Sequence, residues 1–283
     1  MLGSEYVLYN NYCIGMLYQL IFIRRELIWY CSEAEMDFKS VRFGPKEYKT
    51  KGGQATCFQL FGTTFLFVNS HLTPHVKNNE KRLQDYNVIS SSLNLPNKIK
   101  NRSPYNLGNH NVTSKFDHTI WAGDLNFRMD KDVHELHTKT IIRKDQLLKA
   151  IKKKKIFHKF IEGEITFKPT YKYKINTKDF CEDRAPAFTD RILIRSMEKK
   201  NSEIILYKSV SSVNSSDHQP VFAIYDIKIY PGRDEVPMNG GKFEHNVWIE
   251  AMKRRASGYN EPSRKAVSEN HNKVIYSQAC SIQ

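Results

Sequence analysis

The sequence predicts a layered domain of α/β type, with α+β as the other arrangement of the same parts. Three observations carry that expectation. Apolar runs of strand length, rich in β-branched and aromatic residues, recur from residue 14 to residue 229. Between them lie stretches with helical rather than alternating spacing. Acids, imidazoles and amides gather where the apolar runs stop, which is where layered α/β enzymes keep their sites.

The elements follow in order. Residues 14–23 (IGMLYQLIFI) and 26–31 (ELIWYC) read as buried strands. Residues 54–61 and 64–69 read as a hairpin turning at Gly62-Thr63. Leu83, Tyr86, Val88, Ile89 and Leu93 recur at helical spacing, so residues 79–93 read as a helix that Pro96 ends. Residues 97–115 mix Asn, Lys, Ser, Pro and Gly and read as a surface loop. Residues 119–122 form a strand leading into Gly123. Residues 132–163 read as helical, and their run from Lys152 to Lys155 as a solvated helix face, with membrane contact as the alternative. Strands are expected around 191–195 and 220–229. From Arg254 onward the chain is polar and basic, lacks apolar periodicity and reads as a flexible tail.

Composition narrows the class without choosing a ligand. The 283 residues suit one large domain or two small ones, and 40% hydrophobic content is enough for a sizeable core. Lys and Arg total 44 against 30 acids, a formal charge of +14. That balance favours nucleic acid, an acidic membrane surface or phosphorylated small molecules, and it equally describes a solvated basic surface. The cysteines are Cys13, Cys31, Cys57, Cys181 and Cys280, an odd set without metal-type spacing. They point to a reducing compartment and no disulfide framework. Asn111-Val112-Thr113 reads as a chance match to the glycosylation pattern. The longest apolar stretch, residues 14–23, stops at Arg24-Arg25 and is too short to span a bilayer.

Four clusters carry chemistry. In Trp121-Ala122-Gly123-Asp124-Leu125-Asn126-Phe127-Arg128 an apolar strand stops at Gly123, and an acid and an amide follow two residues apart. On extended backbone such residues face the same side, so Asp124 and Asn126 could both reach one phosphate and its attacking water. An Asx-type turn closing the strand would use the same two residues. In Arg184-Ala185-Pro186-Ala187-Phe188-Thr189-Asp190-Arg191-Ile192-Leu193 an acid stands beside an arginine at a strand start, where a surface ion pair is the alternative. Ser216-Asp217-His218-Gln219-Pro220-Val221 sets an acid–imidazole pair before a strand, and Phe67-Val68-Asn69-Ser70-His71-Leu72 ends a strand on His71.

Taken together these segments resemble the inositol-polyphosphate 5-phosphatase family over roughly residues 5–235. Its W-x-G-D-x-N-[FY]-R motif stands in full at residues 121–128, and its R-x-P-[SA]-[WYF]-[CT]-D-R-[IV]-L motif at 184–193; the S-D-H-x-P-V and S-H-L segments also match. The closest likeness is to a farnesylated, cilium-associated branch. It rests on Ile21-Phe22-Ile23-Arg24-Arg25 with Leu27-Ile28-Trp29, Lys49-Thr50-Lys51-Gly52, Pro231-Gly232-Arg233-Asp234, Gly241-Lys242-Phe243 and the terminal Cys280-Ser281-Ile282-Gln283.

The resemblance implies a DNase I-like (endonuclease/exonuclease/phosphatase) four-layer α/β sandwich and Mg²⁺-assisted hydrolysis of a 5-phosphate by in-line attack of water. Carried over residue by residue, Asp124 orients or deprotonates the attacking water and Asn126 holds a phosphate oxygen. His218 binds the phosphate and stabilises its charge, with Asp190 fixing the imidazole. Asp217 supports the metal region, and His71 and Arg191 help hold the phosphate. Pro169-Thr170-Tyr171-Lys172-Tyr173 matches the segment that touches the 4-phosphate. Tyr171, Lys172 and Arg184 are therefore substrate candidates, and Lys51 is another; strand packing is the alternative for Tyr171 and Tyr173.

The chain departs from the family in two places. The T-W-N strand and the Q-E strand end, which supply an Asn near the metal and the Glu that binds it, are not in the sequence. The expectation is a catalytic domain over 1–235 with its N-terminal strands absent and one sheet edge exposed. Relatives commonly carry Lys where Glu182 stands, so either a 4-phosphate contact is lost or Glu182 points away, with Lys174 or Lys178 compensating.

Residues 236–283 are expected to form a basic tail whose C-a-a-X box directs farnesylation of Cys280. One lipid chain binds membranes marginally, and Lys253, Arg254, Arg255, Arg264, Lys265 and Lys273 supply a second attraction. The expected partners are phosphoinositide lipids and the membrane surface, with no nucleic acid, at a cytoplasmic peripheral-membrane location such as the cilium or Golgi. The expected substrates are phosphatidylinositol 3,4,5-trisphosphate and 4,5-bisphosphate. Two other functions fit parts of the sequence: a catalytically inactive phosphoinositide-binding module, because the metal-binding Glu is absent, and a nuclease of the same fold.

Overall fold

The computed structural model describes residues 3–42, 51–99, 111–129, 141–231 and 239–257. The helical reading over 132–140, most of the polar loop and Cys280 with its C-a-a-X box lie outside these residues. The chain opens with a hairpin of β1 (Tyr6–Ile14) and β2 (Leu17–Arg24). Then come β3 (Glu35–Ser40), β4 (Gly52–Leu60), β5 (Thr63–His71), helix α1 (Asn79–Ser92) and β6 (His118–Asp124). Helix α2 (Gln146–Lys152), β7 (Ile161–Glu162), β8 (Asp190–Ser196), the β9 (Ser202–Ser209) and β10 (Val221–Ile227) hairpin, and helix α3 (His245–Ala256) complete it.

Six strands form one sheet in the order β3-β4-β5-β6-β8-β7, antiparallel except where β5 runs parallel to β6. Alternation along the strands sorts its two faces. Ala55, Cys57, Leu66, Val68, Trp121 and Leu193 point to the layer of α1 and α2, where Leu83, Tyr86, Ile89 and Leu147 meet them. Phe157 closes this core, its ring 4.3 Å from Tyr86 and 5.3 Å from Trp121. Phe58, Phe65, Ile120, Ala122, Ile192 and Ile194 point the other way, to Val7, Ile21 and Ile23 of the first hairpin and Tyr207 and Val221 of the second. Helix α3 packs outside β1: Trp248 Nε1 donates to the carbonyl of Ser4 (3.3 Å), and Glu244 N to that of Leu8 (2.9 Å). Helices, sheet, paired hairpins and helix make the four-layer sandwich expected from the sequence.

Several elements differ from the sequence reading. Residues 26–31 are not a strand: Arg25–Tyr30 form a 3-10 turn that leads from the hairpin to β3. Only Ile28 is buried there, and Trp29 and Tyr30 face outward. Short apolar runs do not separate strand from turn by pattern alone. The β4–β5 turn sits one residue earlier, at Phe61-Gly62, because Leu60 pairs with Thr63. Strands β1, β3 and β9 were hidden by the polar residues along them. Helical structure after residue 141 is short: a 3-10 turn at Ile142–Lys144 and α2, before β7. Residues 239–256, assigned to the tail, are structured, since Phe243 and Trp248 pack on the second core.

The described cysteines, Cys13, Cys31, Cys57 and Cys181, are free. Among the described residues no helix is long and apolar enough to cross a membrane.

Candidate active site

Strand register gathers the site at one end of the large sheet. The last residue of β5, His71, pairs with Gly52 at the start of β4; the last of β6, Asp124, pairs with Asp190 at the start of β8. The loop into β10 brings His218 alongside, bridged to Tyr171. Gly123 makes this convergence possible. Its φ is +127°, and a Cβ there would lie 2.1 Å from the carbonyl oxygen of Ser70, so only glycine lets β6 pass β5 at this point.

Asp124 and Asn126 meet, though not through extended backbone. Asn126 has φ +55°, and its amide N–H donates to Asp124 Oδ1 (3.0 Å), closing an Asx turn. Its side-chain Nδ2 donates to Asp124 Oδ2 (3.1 Å) and to the carbonyl of Leu72 (3.1 Å). The turn and the functional pairing are thus the same geometry. His71 Nε2 lies 3.1 Å from Asp124 Oδ2, and Lys51 Nζ contacts the same imidazole nitrogen. Burial opposes ionisation of Asp124, but the His71 hydrogen bond and the charges of His218, His71 and Lys51 outweigh it and hold the carboxyl below its usual range. Burial, opposed by Asp124 and aided by Arg42 and Arg128, brings Lys51 down to about 8.

Asp190 and His218 form the second acid–imidazole pair. His218 Nδ1 lies 2.9 Å from Asp190 Oδ2 and 3.1 Å from Oδ1. Thr170 Oγ1 (2.7 Å) and Thr189 Oγ1 (2.9 Å) both donate to Oδ2. Burial works against a charged imidazole, yet the Asp190 hydrogen bond and charge, with Asp124 and Asp217, raise His218 to about 9. It is a cation at neutral pH. The ring of Tyr171 lies 4.5 Å from that of His218, and the Arg128 guanidinium lies over the same Tyr171 ring, 4.4 Å from its centroid. Tyr171 is buried, so packing and site proximity are both true of it.

Beyond Tyr171 a ribbon projects, held by Cys181 N donating to the carbonyl of Lys172 (2.8 Å) and by the Tyr173–Phe180 ring contact (4.3 Å). Lys172 Nζ bonds Asp183 (3.1 Å), and Arg184 Nε lies 3.7 Å from the same carboxylate. Glu182 points away: its side chain is 91% exposed and bonds Lys174 Nζ (3.1 Å). The described structure therefore removes the repulsion that Glu182 raised.

Arg191 is corrected. Its guanidinium is fully buried and spent on Asp145 (3.0 and 3.1 Å), Glu162 (2.6 Å twice) and the carbonyl of Phe188 (3.3 Å). One residue along β8 from Asp190, it faces the opposite side of the strand and cannot hold phosphate. Burial opposes its charge, while Asp145 and Glu162 hold its pKa well above the ordinary value. Removing one partner of such a buried pair leaves the others uncompensated. Arg191→Met is expected to cost about 3–5 kcal/mol of stability in urea unfolding. A loss under 1 kcal/mol would show that the two acids do not depend on it.

Asp217 lends its charge to the His218 imidazolium, and its carbonyl accepts from Tyr173 N (2.9 Å). Among the described residues no three His, Cys, Asp or Glu side chains converge on a metal position. A hard divalent cation takes oxygen ligands, and the carboxylate available, Asp124, is engaged by His71 and Asn126. The described residues do not by themselves fit a metal centre. Glu35, at the start of edge strand β3, is spent elsewhere, accepting from the amides of Asn97, Lys98 and Ile99 (2.6–3.0 Å).

Sequence reasoning missed Thr170, Thr189 and Arg128 as members of the site. All three lie inside the segments already singled out, next to assigned residues; only side-chain direction was lacking.

The fold and site define a class: a layered α/β protein with two acid–imidazole pairs and a lysine against one of them at one sheet end, suited to a phosphate ester. A family model described as endonuclease/exonuclease/phosphatase family 2 matches residues 2–224, and the chain belongs to that family. It is 37% identical over 269 residues to the phosphatidylinositol polyphosphate 5-phosphatase type IV of Rattus norvegicus, covering 90% of this chain and 41% of that protein. To the type IV protein of Homo sapiens it is 35% identical over 286 residues, covering 96% and 44%. The chain thus spans well under half the length of these curated relatives. Its structure is similar to the inositol polyphosphate 5-phosphatase domain of SPsynaptojanin, solved with inositol (1,4)-bisphosphate and a calcium ion (TM-score 0.69, 26% identity, 90% of this chain and 70% of that one). The 5-phosphatase resemblance seen in the motifs is borne out by these relatives.

Proposed function

We propose that this chain hydrolyses the 5-phosphate of membrane phosphoinositides, with phosphatidylinositol 3,4,5-trisphosphate and 4,5-bisphosphate as substrates. One observation carries the reading: the His71–Asp124 and Asp190–His218 pairs stand side by side across paired strands, with Lys51 in contact with His71. The names of the relatives support the same chemistry.

The residues divide the work. Asp124, ionised and 18% exposed, accepts a hydrogen bond from water and aims it at phosphorus; a carboxylate held below its usual range orients better than it deprotonates. The His218 cation meets the phosphate oxygens and stabilises the charge that shifts toward the leaving oxygen. Asn126, expected to hold a phosphate oxygen, instead spends its donors on Asp124 and Leu72 and so fixes the Asp124 carboxylate. Asp190, itself held by two threonine hydroxyls, keeps the imidazole in place. Tyr171, Lys172 and Arg184 recognise the ring and its 4-phosphate. A divalent cation, Mg²⁺ in this reading, is supported by the calcium in the SPsynaptojanin complex, and no step above depends on it. The test is product identity. Short-chain phosphatidylinositol 3,4,5-trisphosphate should yield the 3,4-bisphosphate, and release from another ring position would contradict the assignment.

Prenylation of Cys280 belongs to the same reading, supported by the C-a-a-X box and the basic residues before it. It places the enzyme at a cytoplasmic membrane surface. Cys280→Ser is expected to move most of the protein from membrane to soluble fractions. Unchanged partitioning would remove the lipid from the mechanism.

A further inference from the structure

We infer that Arg128 is a positioning residue that couples the reacting end of the site, through Asn126, to its recognition arm, through Tyr171. The inference rests on the phosphatase reading for its ligand, but it concerns binding, which is measured without turnover.

Arg128 Nη2 donates to Asn126 Oδ1 at 2.5 Å. That bond fixes which way the Asn126 amide points. With Oδ1 claimed by the guanidinium, Nδ2 is left to face the Asp124 carboxylate and the Leu72 carbonyl. A flipped amide would put oxygen against oxygen at both places and NH₂ against the guanidinium. The same guanidinium lies over the Tyr171 ring, whose other neighbour is the His218 imidazole. Tyr171 begins the arm that carries Lys172. A shift of the arm therefore moves the group that holds Asn126. Lysine could not do both tasks, because only a planar fork donates at its edge while stacking on its face.

Arg128 carries its charge differently from Arg191, one of the other buried arginines. Arg191 meets two carboxylates, whereas Arg128 is 6% exposed and has no ion pair among the described residues. Its Nε is buried and has no hydrogen-bond partner. Its backbone, not its side chain, is tied to Gln146 (3.1 Å). It lies close enough to Lys51 to disfavour that ammonium. An uncompensated buried cation is costly until an anion approaches. The arriving phosphate supplies that anion, so ligand binding and the ordering of the Arg128 network reinforce each other.

The test is calorimetric titration of the full chain, in EDTA, with short-chain phosphatidylinositol 4,5-bisphosphate. Wild type, Arg128→Lys, Arg128→Met, Tyr171→Leu and the Arg128→Met/Tyr171→Leu double variant are compared, each with its Tm. Arg128→Lys is expected to bind at least tenfold more weakly although the charge is kept and Tm is near wild type. Tyr171→Leu is expected to cost several-fold alone and almost nothing once Arg128 is Met. Additive losses, Arg128→Lys binding within twofold of wild type, or a wild type that does not bind would each overturn the inference. If Arg128→Met does not fold, the cycle is run with Arg128→Lys and read in the same way. A wild type that shows this coupling yet releases no phosphate would refute the activity and leave the inference standing.

Discussion

Asp124→Asn is expected to lower kcat for phosphoinositide hydrolysis by about 10²–10⁴-fold, the range lost when a positioned acid–base group is removed. The substitution keeps the shape and the Oδ1 acceptor that closes the Asx turn with Asn126 N. It removes the negative charge and puts NH₂ where Oδ2 now faces His71 Nε2 and Asn126 Nδ2. Water loses its acceptor, and His71 and Lys51 lose the negative charge that faces them. The fold should survive, because Gly123 and the Leu72–Asp124 backbone bond (3.0 Å) set the strand crossing. Stopped assays of phosphate release with a parallel melting curve check both parts. Activity within tenfold of wild type would take Asp124 out of the reaction.

His218→Gln is expected to cost about 10²–10³-fold in kcat, as for loss of one charge-stabilising donor. It should also abolish the alkaline limb of the pH profile. In wild type, activity should fall as pH passes about 9, where the imidazolium loses its proton. The linkage has a definite sign. The folded-state pKa lies above the unfolded value of about 6.5, so the Asp190–His218 pair contributes its full stability below that pH and loses it as pH rises through about 9. The Gln variant should show less alkaline loss of Tm than wild type. An unchanged alkaline limb in the variant would assign it to another group, with Lys51, held near 8, the first to examine.

The site was legible where chemistry and spacing sit in one stretch of sequence. Residues 121–128 present strand, glycine, acid and amide together, and the structure uses them together. The Asp190–His218 contact joins residues far apart in the chain, and only the resemblance brought them into one site before the structure did. Arg191 shows the limit of motif reading. Motif membership does not say which face of β8 a side chain takes, and the strand's alternation sends Asp190 to the site and Arg191 to Asp145 and Glu162. Arg128 was visible as a letter of the first motif, but its role depends on a ring brought in by another segment and on the direction of the Asn126 amide two residues away. In the fold, strands with continuous apolar runs, such as β5 and β6, stood out. Edge strand β3 did not, because its polar side chains serve neighbours: Glu35 and Asp37 accept from the 94–99 backbone.

Two acid–imidazole pairs at one end of this sheet are proposed to hydrolyse a phosphoinositide 5-phosphate. The most direct measurement is phosphate release from short-chain phosphatidylinositol 3,4,5-trisphosphate by the folded chain with added Mg²⁺, beside the Asp124→Asn and His218→Gln variants. The expected result is release by the wild type that both variants lose. A folded wild type that binds the lipid and releases no phosphate would contradict the claim and leave a phosphoinositide-binding module in its place.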